Sequence, residues 1–487
     1  MRPRAFVVLV LAGCALGACS GDGPSKSNST AGSSTGSGGS GGMAKGAGGG
    51  GASSSGEGGS TTPPAEEATL TLVSPPPGMA FQRRNVDVDV AFTVSGGGAT
   101  VRLQRGEEIV DERIIDASVT AGTARMRLPL SRGVSPFVVT IVSPSGTAAA
   151  EAHLVGGRLV AASLDTMYAV RDGAIVQWGG GAPIPTVRDA PAGIVSVAEG
   201  GGSLFALDTE GHVFVATAGQ PAFEAVAGLE DIVALAPGGG HGLFLRADGR
   251  VFAAGQNGRG QLGVGDTESH AGIVEVVTSA EIVAIAASDD ASFAVDVNGL
   301  VHAWGSNDEG QLGIGDEDIS PHPAPLIVPN LENVVDVAAG RDHVLALTAT
   351  GGVYAWGLGS SGQIGDGSAG ILASRPQPVP IVLPDGAVAL DARGNTSYAA
   401  LASGELLGWG QNSLAQLGVG DTQQRTKPAP CLVGGVRAAA AGLTGAIALD
   451  DVGGLQVWGS NTSGQLALPL PPEGPERSSA PVGVPWP

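Results

Sequence analysis

The stretch Val251–Asp266, VFAAGQNGRGQLGVGD, decides the fold because its pattern recurs fifty residues later. The second copy, Val301–Asp316, reads VHAWGSNDEGQLGIGD, and further copies surround Trp356, Trp409 and Trp458. Self-similarity at a fixed period of this length is typical of solenoids and propellers, in which each repeat is one supersecondary unit. The pattern therefore predicts a repeat fold over the C-terminal two-thirds of the chain.

Two degenerate copies precede these five and bring the number of repeats to seven. They are Val176–Gly179 and Val213–Ala216, and both lack the Gly-Gln-Leu-Gly turn, which predicts short loops at these places. Two apolar runs precede each copy, as in Val334–Ala339 and His343–Leu347 of the fifth repeat. Short strands repeated around a ring form β-propellers, which leave few sheet edges exposed.

The repeat resembles that of the regulator of chromosome condensation family. Its Trp-Gly, Gly-Gln-Leu-Gly and trailing Gly-Asp recur together at fixed offsets, and the resemblance covers residues 156–487. Members of that family fold as seven-bladed β-propellers, so the resemblance implies this fold here. The first two repeats depart from the family pattern, and irregular blades are expected there.

A proline-rich run separates successive repeats, as in Ala324–Pro329 and Pro378–Val382. The chain ends with the same phrase at Ala480–Pro485, and no repeat follows it. We therefore predict that residues 480–485 pair with the sheet of the first blade and close the ring.

The N-terminus has the features of an export signal. A cationic start, Met1–Arg4, precedes a short apolar run, which is typical of a signal peptide. Cys14 and Cys19 each end a segment that resembles the lipobox of bacterial lipoproteins. The longer signal, residues 1–18 with Cys19 as the lipid anchor, is the preferred interpretation; lipidation of Cys14 and ordinary cleavage remain alternatives.

Two segments separate the signal from the repeats. Residues 19–68 are rich in Gly and Ser and cannot bury enough apolar surface to fold, which predicts a disordered tether. Residues 69–155 contain strand-like runs, of which Val86–Phe92 alternates apolar and polar residues at period two. Six or seven short strands without helical periodicity predict a small immunoglobulin-like β-sandwich. The interpretation is a spacer domain, with a carbohydrate- or protein-binding sandwich as the alternative. The predicted protein is thus all-β.

The charge distribution argues against nucleic acid as a partner. The formal net charge is −21, and residues 156–487 hold 13 Lys and Arg against 34 Asp and Glu. Affinity for phosphate backbones comes from Lys and Arg that displace counterions, so this acidic surface repels them. The three cysteines, Cys14, Cys19 and Cys431, predict no disulfide framework.

Most residues that could carry chemistry have a simpler structural interpretation. Five tryptophans share one repeat position and are interpreted as packing residues, and His241 and His343 as hydrogen-bonded structural residues. The aspartates of the Gly-x-Gly-Asp turns are interpreted as turn caps, with calcium near Asp316–Asp318 as the alternative. No catalytic motif occurs in the sequence. No catalytic residue, metal or cofactor is predicted, and the protein is not expected to be an enzyme.

Loops that differ between repeats are the candidate contact sites, because packing of the repeat does not require their residues. These loops are Gly238–Gly240, Ser288–Asp290, Gly340–Asp342, Arg393–Asn395 and Gly442–Thr444. Within them the candidate partner contacts are Asp289, Asp290, Arg341, Asp342, Arg393 and Asn395; the alternative is that they are solvated loop tips.

The expected function is that of a monomeric scaffold, lipid-anchored in a bacterial cell envelope at the outer membrane or cell surface. Its partner is expected to be a macromolecule, with a protein preferred, and its contact with the membrane is expected through the lipid alone. Two alternatives stay open. One is a polysaccharide hydrolase or lyase with an active site in the central channel. The other is a secreted enzyme inhibitor, because a bacterial β-lactamase inhibitor belongs to the same propeller family.

Overall fold

The computed structural model describes residues 69–74, 80–81, 85–94, 99–105, 108–116, 118–119, 121–129, 133–143, 146–156, 158–217, 220–315, 318–450 and 453–487. The 36 regular elements in these ranges are all β-strands. Within the same ranges, no helix has the length and apolar character needed to cross a bilayer. The predicted signal peptide and tether lie outside the described residues.

Eight strands form the N-terminal part. They are β1 (Thr69–Ser74), β2 (Ala80–Phe81), β3 (Asn85–Thr93), β4 (Ala99–Arg105), β5 (Glu108–Ile115), β6 (Ala121–Pro129), β7 (Gly133–Ser143) and β8 (Gly146–Gly156). One sheet has the order β1-β3-β6 and the other the order β2-β8-β7-β4-β5. The pairings are antiparallel except that of β2 with β8.

Alternating side chains of these strands build the core between the two sheets. Val90, Phe92 and Met126 come from the first sheet, Leu103 and Ile141 from the second, and all are buried. The strand-like runs of the sequence lie inside β1, β3, β4, β6 and β7; they are residues 70–73, 86–92, 100–103, 124–128 and 137–142. Two packed sheets agree with a sandwich, while the immunoglobulin-like topology stays a prediction.

Seven four-stranded sheets follow, each built from four consecutive antiparallel strands. Those of blades 1 to 3 are β9 (Val160–Ala162), β10 (Thr166–Arg171), β11 (Ala174–Gly179), β12 (Ala182–Arg188); β13 (Ile194–Gly200), β14 (Ser203–Asp208), β15 (Val213–Thr217), β16 (Gln220–Ala225); and β17 (Ile232–Pro237), β18 (His241–Arg246), β19 (Val251–Gly255), β20 (His270–Glu275). The two degenerate repeats therefore form regular blades with short loops.

Blades 4 to 7 follow the same plan. Their strands are β21 (Ile282–Ala287), β22 (Ala291–Asp296), β23 (Val301–Gly305), β24 (His322–Ile327); β25 (Val334–Ala339), β26 (His343–Thr348), β27 (Val353–Gly357), β28 (Arg375–Ile381); β29 (Ala387–Arg393), β30 (Thr396–Leu401), β31 (Leu406–Gly410), β32 (Arg425–Pro430); and β33 (Val436–Ala441), β34 (Gly445–Asp450), β35 (Leu455–Ser460), β36 (Arg477–Val484). The first strands of successive blades pack on one another, and β33 packs on β9, so the first strands line the ring's axis. The predicted seven-bladed propeller is confirmed.

A hydrogen bond between neighbouring blades recurs around the ring. The indole Nε1–H of Trp304 in blade 4 donates to the backbone carbonyl of Gln261 in blade 3 at 3.0 Å. The same bond joins Trp356 to Gln311, at 2.9 Å. The remaining bonds of this type join Trp409 to Gln363, Trp458 to Gln416, and Trp178 to Gln465. Each glutamine belongs to the Gly-Gln-Leu-Gly loop, or its variant, of the preceding blade. We call each such contact a Trp–loop joint.

The loop must approach the indole closely to make this bond. A Cβ added to Gly263, at φ +70°, would lie 2.7 Å from the Trp304 Nε1 atom. The five tryptophans are at most 1% exposed, and Leu262 of the loop is fully buried beside Trp304. The interpretation of the tryptophans as packing residues is confirmed, with a buried hydrogen bond in addition.

The predicted closure by residues 480–485 is wrong. Strand β36 pairs with β35 as the outermost strand of blade 7, and blade 1 has its own outermost strand, Ala182–Arg188. The proline-rich runs therefore end a blade instead of beginning the next one. The joint of Trp178 with Gln465 closes the ring, together with the Thr444 hydroxyl, which donates to the Leu164 carbonyl at 2.6 Å.

Replacement of Trp304 by Phe tests how much a Trp–loop joint contributes to the stability of the propeller. The variant keeps an aromatic ring but removes the buried donor, so we expect the free energy of unfolding to fall by about 1–3 kcal/mol in a urea titration. Trp486→Phe is the matched control, since this half-buried indole donates to the Gly453 carbonyl at 2.9 Å outside any joint. Equal losses in the two variants would contradict a special role of the joint.

Candidate functional site

One face of the propeller, here called the upper face, carries the hairpins between the first and second strands of each blade. Because the strands alternate in direction, all seven hairpins emerge at the same end of the ring. Their loops are residues 163–165, 201–202, 238–240, 288–290, 340–342, 394–395 and 442–444. Five of them coincide with the candidate contact loops predicted from the sequence.

The loops between the third and fourth strands emerge on the same face. They are long in blades 3 to 7, where they span residues 256–269, 306–321, 358–374, 411–424 and 461–476. In blades 1 and 2 only residues 180–181 and 218–219 separate these strands. The rim of the upper face is therefore built up over five blades and low over two.

Buried side chains hold the long loops in shape. Asn257 Oδ1 accepts a hydrogen bond from the Leu262 backbone N–H at 2.9 Å, and its Nδ2 donates to the Asp266 carbonyl at 2.9 Å. The carboxylate of Asp266 accepts from the Glu268 N–H at 3.0 Å, and that of Asp421 behaves similarly in blade 6. Asp266 and Asp421 thus cap turns as predicted, while Asp316 lies outside the described residues.

Four predicted contact residues come together on the upper face. The Arg341 Nε atom lies 3.7 Å from Asp289 Oδ2 and 3.4 Å from Asp342 Oδ2, and so links the hairpins of blades 4 and 5. Asp290 is exposed, and its Oδ1 accepts a hydrogen bond from Gln261 Nε2 at 3.2 Å. We call Asp289, Asp290, Arg341 and Asp342 the upper-face cluster.

The two partly covered carboxyls of this cluster hold their protons more tightly than usual. Burial raises the pKa of Asp342 to about 6, with a further upward contribution from the neighbouring Asp289, and Arg341 opposes the shift. Burial also raises the pKa of Asp289, and nearby Asp290 adds to that shift. Their side chains are 25% and 23% exposed, so a ligand can still reach both.

Arg393 lies inside the ring, away from the loop tips. It is 2% exposed, and its guanidinium makes a buried ion pair with Glu199 of blade 2. A second nitrogen donates to the Glu199 backbone carbonyl at 3.2 Å. Arg393 belongs to blade 6, so this pair crosses the central channel. Asn395 stays half-buried near the rim, and its carbonyl accepts from the Gln411 N–H at 2.9 Å.

Glu199 is a residue that the sequence interpretation missed. Strand pairing places it at the same repeat position as Pro237 and as alanines in the later blades. Those alanines are Ala287, Ala339, Ala392 and Ala441. A carboxylate at a position otherwise held by small apolar residues was a signal that repeat-by-repeat comparison could have found.

The two repeat histidines also serve the joints. Nε2 of His241 lies 2.8 Å from the Ser292 hydroxyl, which in turn donates to the Gln261 carbonyl. His343 makes the same contact with Ser397, and complete burial lowers the pKa of His343 to about 3. The prediction that both histidines are hydrogen-bonded structural residues is confirmed.

The opposite face contains a group of possible metal ligands within the described ranges. Asp208, Glu210 and His212 lie in the turn between β14 and β15. The Asp208 carboxylate accepts from the backbone N–H groups of Glu210 and His212, both at 2.9 Å. These bonds are those of a capped turn, and we assign no metal to it.

Comparison with known proteins gives matches to the propeller repeats. The protein-family model described as RCC1-like domain matches residues 216–485 of this sequence. The human RCC1-like G exchanging factor-like protein is 38% identical over 137 residues, which are 27% of this chain and 29% of that protein. The Ultraviolet-B receptor UVR8 of Arabidopsis thaliana is 33% identical over 154 residues, 30% of this chain and 34% of the receptor. The chain thus spans about a third or less of the length of these relatives.

Solved structures agree in fold. Yeast RCC1 (Prp20) bound to Kap60 has a TM-score of 0.55 at 22% identity and covers 62% of this chain and 78% of Prp20. Human WBSCR16 has a TM-score of 0.54 at 20% identity and covers 63% of this chain and 85% of that one. The seven blades, the recurrent Trp–loop joint and a domain match over more than half of the chain lead to one conclusion: the protein belongs to the RCC1-like domain family of β-propellers.

Proposed function

We propose that this protein is a non-catalytic binding module whose upper face docks a basic segment of a protein partner. The family supports a protein partner in general terms. Yeast Prp20 has been solved with Kap60 bound, and its binding to Gsp1p and histones has been described. These partners belong to Prp20; for the present chain, the chemistry of its own surface indicates the class of partner.

The upper-face cluster carries the proposal. Asp289 and Asp342 belong to adjacent hairpins and both face Arg341, and burial raises the pKa of each carboxyl. A cationic side chain from a partner would favour the ionised carboxylates against this effect of burial, in the same direction as Arg341. The propeller's 13 Lys and Arg against 34 Asp and Glu would also steer a basic partner towards it.

Charge reversal tests the docking face. The full chain is purified from a membrane extract of the cells that express it, and the proteins bound to it are quantified by mass spectrometry. We expect one partner at a fixed molar ratio to the chain. We expect Asp289→Lys/Asp290→Lys to reduce this capture at least tenfold, because it replaces attraction by repulsion. The control, Glu210→Lys/Glu332→Lys, makes the same charge change at exposed sites on the opposite face and should leave capture unchanged. Loss of capture in the control alone would reject the upper face.

The raised pKa of Asp342 predicts a stability that depends on pH. Its pKa in the folded protein is about 6 against an ordinary 3.8, so the folded state binds more protons than the unfolded chain between pH 4 and 6. The contribution of this carboxyl to stability therefore falls as the pH rises through that window. We expect Asp342→Asn to raise the free energy of unfolding by on the order of 1 kcal/mol at pH 7.5 and hardly at all at pH 4.

Urea titrations at the two pH values measure this difference. Glu332→Gln, at an exposed site on the opposite face, is the control and should change stability little at either pH. A destabilised Asp342→Asn variant at pH 7.5, or the same stabilisation at both pH values, would contradict the electrostatic interpretation.

We further propose that the protein is exported and held at the bacterial cell envelope by a lipid on Cys19. The cationic start, the short apolar run and the lipobox-like segment Leu16–Cys19 support this location. The Gly- and Ser-rich residues that follow would let the propeller reach away from the membrane.

Metabolic labelling with an alkyne fatty acid tests the anchor. In a bacterial host that expresses the full chain, Cys19→Ala should abolish the label and release the protein from the membrane fraction. Cys14→Ala should keep the label, and so should Cys431→Ala, which removes a buried thiol of the propeller. A label lost with Cys14→Ala and kept with Cys19→Ala would move the anchor to Cys14.

A further inference from the structure

The contact between blades 1 and 2 lacks both parts of a Trp–loop joint, the tryptophan and the loop that accepts its hydrogen bond. Blade 1 has no Gly-Gln-Leu-Gly loop, and blade 2 has Ala216 where five other blades have tryptophan. In the joints that are complete, the loop's apolar residue is fully buried; these residues are Leu262, Leu312, Ile364, Leu417 and Leu466. The missing parts thus leave the volume of an indole and a buried loop to be accounted for.

Between blades 2 and 3, where the same two parts are missing, other aromatic residues replace them. Phe244 stands in β18 at the position that Ala294 holds in blade 4. Its ring packs edge-on against Phe205 of blade 2, with 6.1 Å between the ring centroids. This joint is therefore filled from within the chain, although it has Ala254 at the tryptophan position.

Between blades 1 and 2, Tyr168 of blade 1 packs in one cluster with Val197 and Leu204 of blade 2, and a cleft bordered by Tyr168 and Leu204 stays open. Ala206 takes the position of Phe244. A cavity of about 890 Å³ lies beside Ala216 and extends beyond these two blades to Gly239, Asp289, Arg393 and Leu443. Gly179 and Gly180 of blade 1 and Leu204 of blade 2 line it as well. The cleft opens on the upper face, where the rim is low.

The lining of the cleft combines apolar and charged side chains. Leu204 and Ala216 contribute apolar surface to it, and Asp165 and Asp289 contribute carboxylates. The cleft also reaches the buried pair of Glu199 with Arg393, which balance each other's charge. Arg188 also lies in the lining, and Asp289 is already 3.7 Å from the Arg341 Nε atom, so Asp165 is the carboxylate that a partner cation can meet here.

We propose that this cleft receives a loop of the protein partner, which occupies the place that the chain's own loop occupies in the complete joints. The proposal rests on the proposed function and names the site at which the partner enters. Five joints of the same molecule show that a loop with a buried Leu or Ile fits between two such blades. The absent indole adds room, so the inserted residue is a bulky apolar one, and a neighbouring Lys or Arg pairs with Asp165.

A library of disulfide-cyclised nonapeptides displayed on phage, selected on the immobilised full chain, is the probe. We expect enrichment of loops that combine a bulky apolar residue with an adjacent Lys or Arg. Their affinity should fall at least tenfold for Ala216→Trp, which refills the cleft with the indole of the complete joints. Thr217→Trp is a second variant at an exposed position of the lining, where the fold is not at risk.

Ile371→Trp is the matched control, since it places an indole at a fully accessible site on the same face, outside the cleft. It should bind the selected peptides as the wild type does. Absence of any such enrichment, or peptide binding that survives both Ala216→Trp and Thr217→Trp, would overturn the proposal.

The same variants separate this proposal from the proposed function. A cellular partner that all cleft variants still capture, but that Asp289→Lys/Asp290→Lys loses, would overturn the cleft and leave the docking face intact. Peptides that bind the cleft in a protein without any cellular partner would support the cleft and reject the proposed function.

Discussion

The bond from an indole N–H to a backbone carbonyl in the preceding blade is the interaction on which the ring depends. It fixes the distance between two sheets and brings the loop so close that a Cβ at Gly263 would lie 2.7 Å from the indole Nε1 atom. Four of the five loops have glycine at this position, and the loop of blade 7 has Ala467 in the left-handed conformation. Loop and tryptophan are therefore useful only as a pair. Both are present at five joints and both are absent at two, so the degeneracy of the first repeats is coordinated between neighbours.

The two incomplete joints make the upper face asymmetric. Five long loops raise the rim over blades 3 to 7, and the low side exposes the cleft beside Ala216. The upper-face cluster lies on blades 4 and 5, and the buried pair of Glu199 with Arg393 ties blade 2 to blade 6 across the axis. The low side of the rim, over blades 1 and 2, thus differs from the rest of the ring and gives a partner one open side from which to approach.

Repeats made the fold predictable from the sequence, because a period of about fifty residues reports the blade directly. The residue at which each blade begins was harder to predict, because periodicity alone does not say where a period begins. The proline-rich run was therefore assigned to the start of the next blade, although it is the last strand of its own blade. The site was predictable in part. Asp289, Asp290, Arg341 and Asp342 were identified as non-repeating loop residues and do meet on one face. Arg393 differs, because its partner lies 194 residues away and only the closed ring brings the two together.

The way in which the ring closes has a consequence for how such a chain can change. Every blade is one segment of consecutive strands, and among the described residues no sheet of the propeller takes a strand from another part of the chain. The first and last strands of the propeller could therefore be linked and new ends opened at any connection between blades without breaking a blade's sheet. By the same reasoning, duplication or loss of a whole blade leaves all remaining strand pairs intact and changes only the number of joints. Such a propeller can therefore gain or lose whole blades during evolution, and it can be circularly permuted at the connections between blades.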